Sequence, residues 1–115
     1  SIHSARGALF ENWVICELQK RRFNLGLSSN LYFWRNNTGD EVDVLIEQGH
    51  RLMPVEIKSG QTFTTDFLLG LKKWARVAGD IALPAHLVYG GDEAMVRQDV
   101  TVHGWRRLQT QPAPD

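Results

Sequence analysis

EVDVLIEQGHRLMPVEIKSG, residues 41–60, decides the fold of this chain. Branched apolar residues alternate with charged ones on both sides of Gln48-Gly49-His50, the pattern of two β-strands joined by a short hairpin connection. Strand side chains point alternately to opposite faces, so Val42, Val44 and Ile46 are expected on one face and Glu41, Asp43 and Leu45 on the other. In the second strand Met53, Val55 and Ile57 share a face, and Glu56 and Lys58 share the opposite one. Neighbouring strands run about 4.8 Å apart, so carboxylates at facing positions could grip one divalent cation. Asp43 and Glu56 are that pair, and Lys58, two residues on, is suited to hold or activate a water. This is an arrangement for metal-assisted hydrolysis.

Upstream, ARGALFENWVICELQKRRF (5–23) reads as a helix. A step of about 100° per residue lays Phe10, Val14, Ile15 and Leu18 along one stripe, with Glu11 inside it. Trp13, Leu9 and Cys16 form a second apolar flank, so cover on more than one side is expected. Lys20, Arg21 and Arg22 suit the C-terminal end, where cations oppose the helix dipole, and Glu17 reads as a surface partner for Arg21. After a loop over 24–30, LYFWRN (31–36) is β-like, and Asn37-Thr38-Gly39-Asp40 is a turn. The segment 31–59 is thus an antiparallel meander of strands.

Downstream, Thr62 to Asp66 offers capping residues for a second helix over 65–78, carrying Phe67, Leu71, Trp74, Ala75 and Ala78 and closed by Gly79. HLVYG (86–90) and VTVH (100–103) are short strands, 104–108 starts a final helical turn, and QTQPAPD (109–115) is a frayed tail to a domain spanning 1–108. A right-handed crossover through the second helix returns HLVYG beside the third strand. The expectation is an α/β sandwich with a mixed central sheet. The first helix packs on one sheet face. If that is the face of Asp43, Glu56 and Lys58, Glu11 points toward them.

The 115 residues make one domain, with a hydrophobic fraction of 43% and 10% aromatics typical of a globular protein. No apolar run is long enough to cross a bilayer, so no membrane association is expected. A lone Cys16 forms no internal disulfide, which points to a reducing, cytoplasmic setting and an inert core thiol. With 13 basic and 13 acidic residues the formal net charge is zero, against a binder that relies on a large positive field. The chain opens at Ser1 without an initiator methionine, as expected of a part of a longer protein. His3, His50, His86 and His103 are scattered without zinc-like spacing, so structural or solvent roles are expected. The short basic runs read as solvated helix faces, Trp13 and Trp74 as core. Arg35 and Trp34 are candidates to touch a phosphate backbone or base.

A helix bearing Glu11, Asp43 on the second strand and Glu56-x-Lys58 on the third together resemble the PD-(D/E)XK (restriction-endonuclease-like) nuclease superfamily, whose fold runs α-β-β-β-α-β. More narrowly, GALFENWV (7–14), YFWRNNTGDEVDVLIE (32–47), PVEIKSG (54–60) and VHGWRRL (102–108) resemble a prokaryotic domain of unknown function that follows an AAA+ ATPase module. The resemblance implies that Asp43 and Glu56 hold Mg²⁺ or Mn²⁺, Lys58 positions the attacking water or steadies developing charge, and Glu11 is an accessory acid. The superfamily's leading Pro-Asp is Val42-Asp43 here. It further implies DNA as substrate, with RNA as an alternative, and an ATPase module in the parent chain.

Plainer readings stand beside these. Asp43 and Glu56 could lie on a solvated sheet face, Lys58 could be their ion-pair partner, and Glu11 could be structurally paired. The domain would then be a non-catalytic unit that binds a partner or regulates an attached ATPase. A DNA clamp without cleavage is a third reading.

Overall fold

A computed structural model describes residues 2–27, 31–35, 37 and 41–109 of the chain. Helix α1 (Ile2–Asn24) is followed by strands β1 (Leu31–Arg35), β2 (Glu41–Gln48) and β3 (Arg51–Lys58). A 3-10 turn at Thr65–Leu68 leads into α2 (Leu69–Ala78), and β4 (His86–Tyr89), β5 (Ala94–Arg97), β6 (Val100–Gly104) and a 3-10 turn at Trp105–Gln109 complete the order.

The strands form one six-stranded sheet in the order β1-β2-β3-β4-β6-β5. β1, β2 and β3 are antiparallel, as the hairpin pattern required, with Gly49 at φ 63° in the turn that joins Gln48 to Arg51. β3–β4 and β4–β6 are parallel, and β5 returns antiparallel to β6. This is the expected α/β sandwich with a mixed sheet. α2 is the crossover between β3 and β4.

Each sheet face carries its own apolar layer. On one, Val14 and Leu18 of α1 pack with Val44, Ile46, Val55 and Ile57. On the other, Leu71 and Trp74 of α2 pack with Leu45, Leu87, Tyr89 and Val102. The Phe10–Val14–Leu18 stripe is therefore the buried one, and Trp74 is core. Trp13 is half-buried, edge-on to Trp105 at 5.3 Å, an arrangement aromatic rings favour.

Four expectations need correction. The second flank of α1 is covered only at Trp13, by Trp105: Leu9 is 69% exposed and Cys16 is exposed, because the sheet lies on one side of the helix only. Cys16 is thus no core thiol. Thr64 heads the turn before α2 without a side-chain capping bond, and that turn is 3-10. The glycine stop does hold, since the Gly79 N–H reaches the Ala75 carbonyl. Arg22 is buried, not solvated, and Glu17 ion-pairs with Lys20 at 3.5 Å while its charge also reaches Arg21.

The fourth correction concerns faces. Tyr32 pairs with Leu45 but Trp34 with Val42, so β2 places Asp43 and Val44 where β1 places only Phe33. That extra residue is a β-bulge, which resets the alternation of side chains. Val42 accordingly joins the α2-side layer while Val44 and Ile46 join the α1 side. The turn expected at 37–40 lies outside the described residues except for Asn37, and the tail lies outside them after Gln109. Among the described residues no helix is long and apolar enough to cross a membrane.

Candidate active site

The regular ladder between β2 and β3 ends at the pair Val44–Val55. Beyond it the next contacts run through side chains. The Ile57 N–H donates to Asp43 Oδ2 at 2.8 Å, and the Asp43 N–H donates to Glu56 Oε1 at 3.3 Å. Each carboxyl group thus takes a backbone donor that the diverging strands no longer pair. Buried N–H groups need such partners, which explains two acids in the middle of branched apolar strands.

Glu56 is only 2% exposed. It lies on the α2 side, where the first turn of the helix comes close because residue 70 is glycine. A Cβ at Gly70 would meet the Glu41 carbonyl at 2.5 Å and Glu56 Oε2 at 3.0 Å. Burial pushes the Glu56 carboxyl up to about 9, reinforced by a side-chain hydrogen bond to Asp43 and by the Asp43 charge, with Lys58 opposing. At neutral pH this carboxyl keeps its proton unless a cation takes its place. Lys58 has no carboxylate at ion-pairing distance among the described residues, so it acts on Glu56 and Glu11 through longer-range charge.

Glu11 reaches the site by another route than the one reasoned from sequence. α1 packs on the Val44/Val55/Ile57 face, opposite Glu56, so the premise of one shared face is wrong. The helix instead brings Glu11 over the sheet's end, where the bulge turns Asp43. Burial raises the Glu11 pKa, followed by the charges of Asp43 and Glu41, with Lys58 lowering it. Glu11 and Asp43 share a cleft of about 260 Å³ with Phe33, Trp34, Arg35, Glu41 and Val42. Phe33 is 69% exposed at its rim, and Arg35 ion-pairs with Glu41 at 2.7 Å.

The donor set can be tested against a hard cation. Asp43 and Glu56 offer two carboxyl groups on adjoining strands, and no group of three or more His, Cys, Asp or Glu suited to a metal occurs among the described residues. An ion held here would keep most of its water. Mg²⁺ does so, binding through one or two carboxylates at about 2.1 Å while retaining waters for substrate oxygens to replace. The residues fit that ion, not a dedicated protein cage.

Sequence reasoning missed two features here. Gly70 had a signal: glycine inside a short helix lowers its propensity, which points to a close approach. Tyr89, in parallel register with Lys58, had none, because the pairing of β4 with β3 sets it. Elsewhere, parallel strands bring His86 Nδ1 within 2.9 Å of His103 Nε2, with stacked rings, a pairing invisible in the linear spacing. His50 is exposed, and the side chain of His3 lies outside the described residues.

Residues 6–108 match the family described as a domain of unknown function (DUF4143). The chain belongs to that family. The match takes in α1 from Arg6 onward, the whole sheet and the residues of the candidate site. No curated protein matches the chain.

Proposed function

We propose that this DUF4143 domain is a metal-dependent nuclease of the PD-(D/E)XK superfamily, hydrolysing phosphodiester bonds in DNA, with RNA as the alternative substrate. The observation that carries the reading is the interlock of Asp43 and Glu56 where β2 and β3 diverge, with Lys58 two residues on. The run α1-β1-β2-β3-α2-β4 supports the reading because it follows the α-β-β-β-α-β order that the resemblance implies, with β5 and β6 added after it. Mg²⁺ or Mn²⁺ bound there would polarise the phosphate and lower the pKa of a bound water.

The chain's own groups would do the rest. Asp43 and Glu56 hold the ion, and Glu56 must lose its proton to do so. The Lys58 ammonium orients the attacking water or offsets charge growing on the phosphate. Glu11 is the accessory acid, with its raised affinity for a proton. Phe33 and Trp34 offer aromatic faces to bases, and Arg35 offers a cation to the backbone. The Arg35–Glu41 pair is exposed, so exchanging it for a phosphate costs little. The domain would work beside an ATPase module in the parent chain, in the cytoplasm.

A second reading rests on the same interlock. Both acids already satisfy backbone donors, which suits a non-catalytic module that binds a partner or regulates the attached ATPase. The test is cleavage of supercoiled, branched and single-stranded DNA with Mg²⁺ or Mn²⁺, beside Asp43→Asn and Lys58→Ala. The nuclease reading expects cutting lost in both variants. Absence of cutting together with absence of metal binding by calorimetry selects the second reading.

A further inference from the structure

A second cleft opens at the same end of the sheet. The C-terminal ends of β3, β4 and β6 and the start of β5 all lie there, as their registers require. Ligands of open α/β sheets gather at the carboxyl ends of the strands. Tyr89 is in register with Lys58, so the cleft begins one strand, about 4.8 Å, from the candidate site. It has a volume of about 340 Å³.

Its lining has the makings of a base pocket. Phe63 is half-buried and held edge-on by Phe67, with ring centroids 6.0 Å apart and an interplanar angle of 87°. That fixes one flat apolar surface, and Met95 lines the same cleft. Around them stand Gln61, with both donors and an acceptor, and Glu93, an acceptor only. Tyr89 is buried and accepts the Glu93 N–H at 3.1 Å, which fixes the backbone at Glu93. Arg97 starts from the far end of β5, yet its Nε lies 3.4 Å from Met95 Sδ. The guanidinium therefore folds back into the cleft, and it makes no ion pair among the described residues.

A flat surface, polar groups for a heterocycle's edge and a cation for a phosphate are the elements that recognise a nucleotide. A stacked duplex hides the faces of its bases, so such a pocket admits an unpaired one. We propose that the cleft formed by Gln61, Phe63, Tyr89, Glu93 and Arg97 receives an unpaired nucleotide of the substrate strand, beside the reacting phosphate. The inference rests on the nuclease reading for that last clause and deepens it: the substrate is single-stranded, or has a single-stranded branch. Glu93 would accept from an exocyclic amine, which cytosine carries and thymine lacks.

The experiment is fluorescence anisotropy of the chain with end-labelled ten-nucleotide dC, dT and rC strands and a ten-base-pair duplex, in EDTA so that no strand is cut. The expected result is preference for dC or rC over dT, and at least roughly tenfold weaker binding of the duplex. The tighter of dC and rC identifies the source of the strand. Arg97→Gln should weaken single-strand binding about fivefold and reduce the salt slope by about 0.7. Phe63→Leu should weaken it about tenfold. Glu93→Gln should remove the preference for cytosine.

No single-strand binding, equal binding of duplex, or unchanged affinity in Arg97→Gln overturns the proposal. Arg97 is exposed, so that variant stays informative even if Phe63→Leu unfolds. Cutting is scored separately with Mg²⁺. Arg97-dependent binding with neither cutting nor metal binding keeps the cleft and removes the nuclease reading. Cutting with Arg97-independent binding does the reverse.

Discussion

Replacing Glu56 with glutamine should make the folded chain more stable as the pH rises, relative to the unaltered protein. The unaltered carboxyl has a reference value of 4.5 and a folded value of about 9. Between these limits the folded chain holds a proton that the unfolded chain has released. The unfolded state therefore binds one proton fewer, and stability falls with rising pH by about 1.4 kcal/mol per unit. The contribution is fully present below 4.5 and lost once pH passes the folded value. From pH 6 to pH 8 the loss amounts to about 3 kcal/mol. Glutamine keeps an oxygen for the Asp43 N–H and offers an amide to the Asp43 carboxylate, but it does not titrate. Urea unfolding of both proteins across this range gives the difference, and the titrating groups remote from Glu56 cancel in it. The variant should gain about 3 kcal/mol on the unaltered chain between pH 6 and pH 8. Millimolar Mg²⁺ should recover part of the loss in the unaltered chain alone, by replacing the proton with a cation. A difference that stays flat with pH would refute the reasoning, because Glu56 would then ionise in the folded state as it does in water.

Three further outcomes are expected. Asp43→Ala strips the Ile57 N–H of its acceptor and should cost about 1–3 kcal/mol, whereas Asp43→Asn keeps an oxygen there and should cost well under that. Equal losses in denaturant melts would show that the bond is not what matters. Gly70→Ala drives a Cβ to 2.5 Å from the Glu41 carbonyl and should destabilise by about 1–3 kcal/mol, seen as a lowered urea midpoint; an unchanged midpoint would mean that α2 shifts freely. Exposed Cys16 should react with a thiol reagent in the folded chain as fast as in the unfolded one, and a thiol released only by urea would contradict the placement of α1.

Much of this was written in the linear pattern, and the gaps have physical causes. Strands β2 to β4 and β6 announced themselves by branched residues between turn signals, and β1 by its aromatic residues. β5 did not. Ala94 to Arg97 forms an edge strand with little buried surface, and its turn uses Gln98 and Asp99 at φ 48° and 67°, without the glycine that usually marks such a hairpin. The four charged positions stood out because each interrupted an apolar pattern. Their faces did not, since one inserted residue at Asp43-Val44 resets everything that alternation predicts. Cys16 was misjudged because a helix with two apolar flanks need not have a neighbour for both.

The interlock at the end of β2 and β3 has a bearing on ancestry. Asp43 and Glu56 hold strand ends together, so a descendant that abandoned chemistry would still be penalised for losing either one. Their retention across relatives would record folding as much as catalysis. Lys58 and Glu11 make no such bond among the described residues and are felt at the site only through their charge. On the nuclease reading, drift should erase those two first, which makes them the better witnesses to whether a given lineage has kept the chemistry.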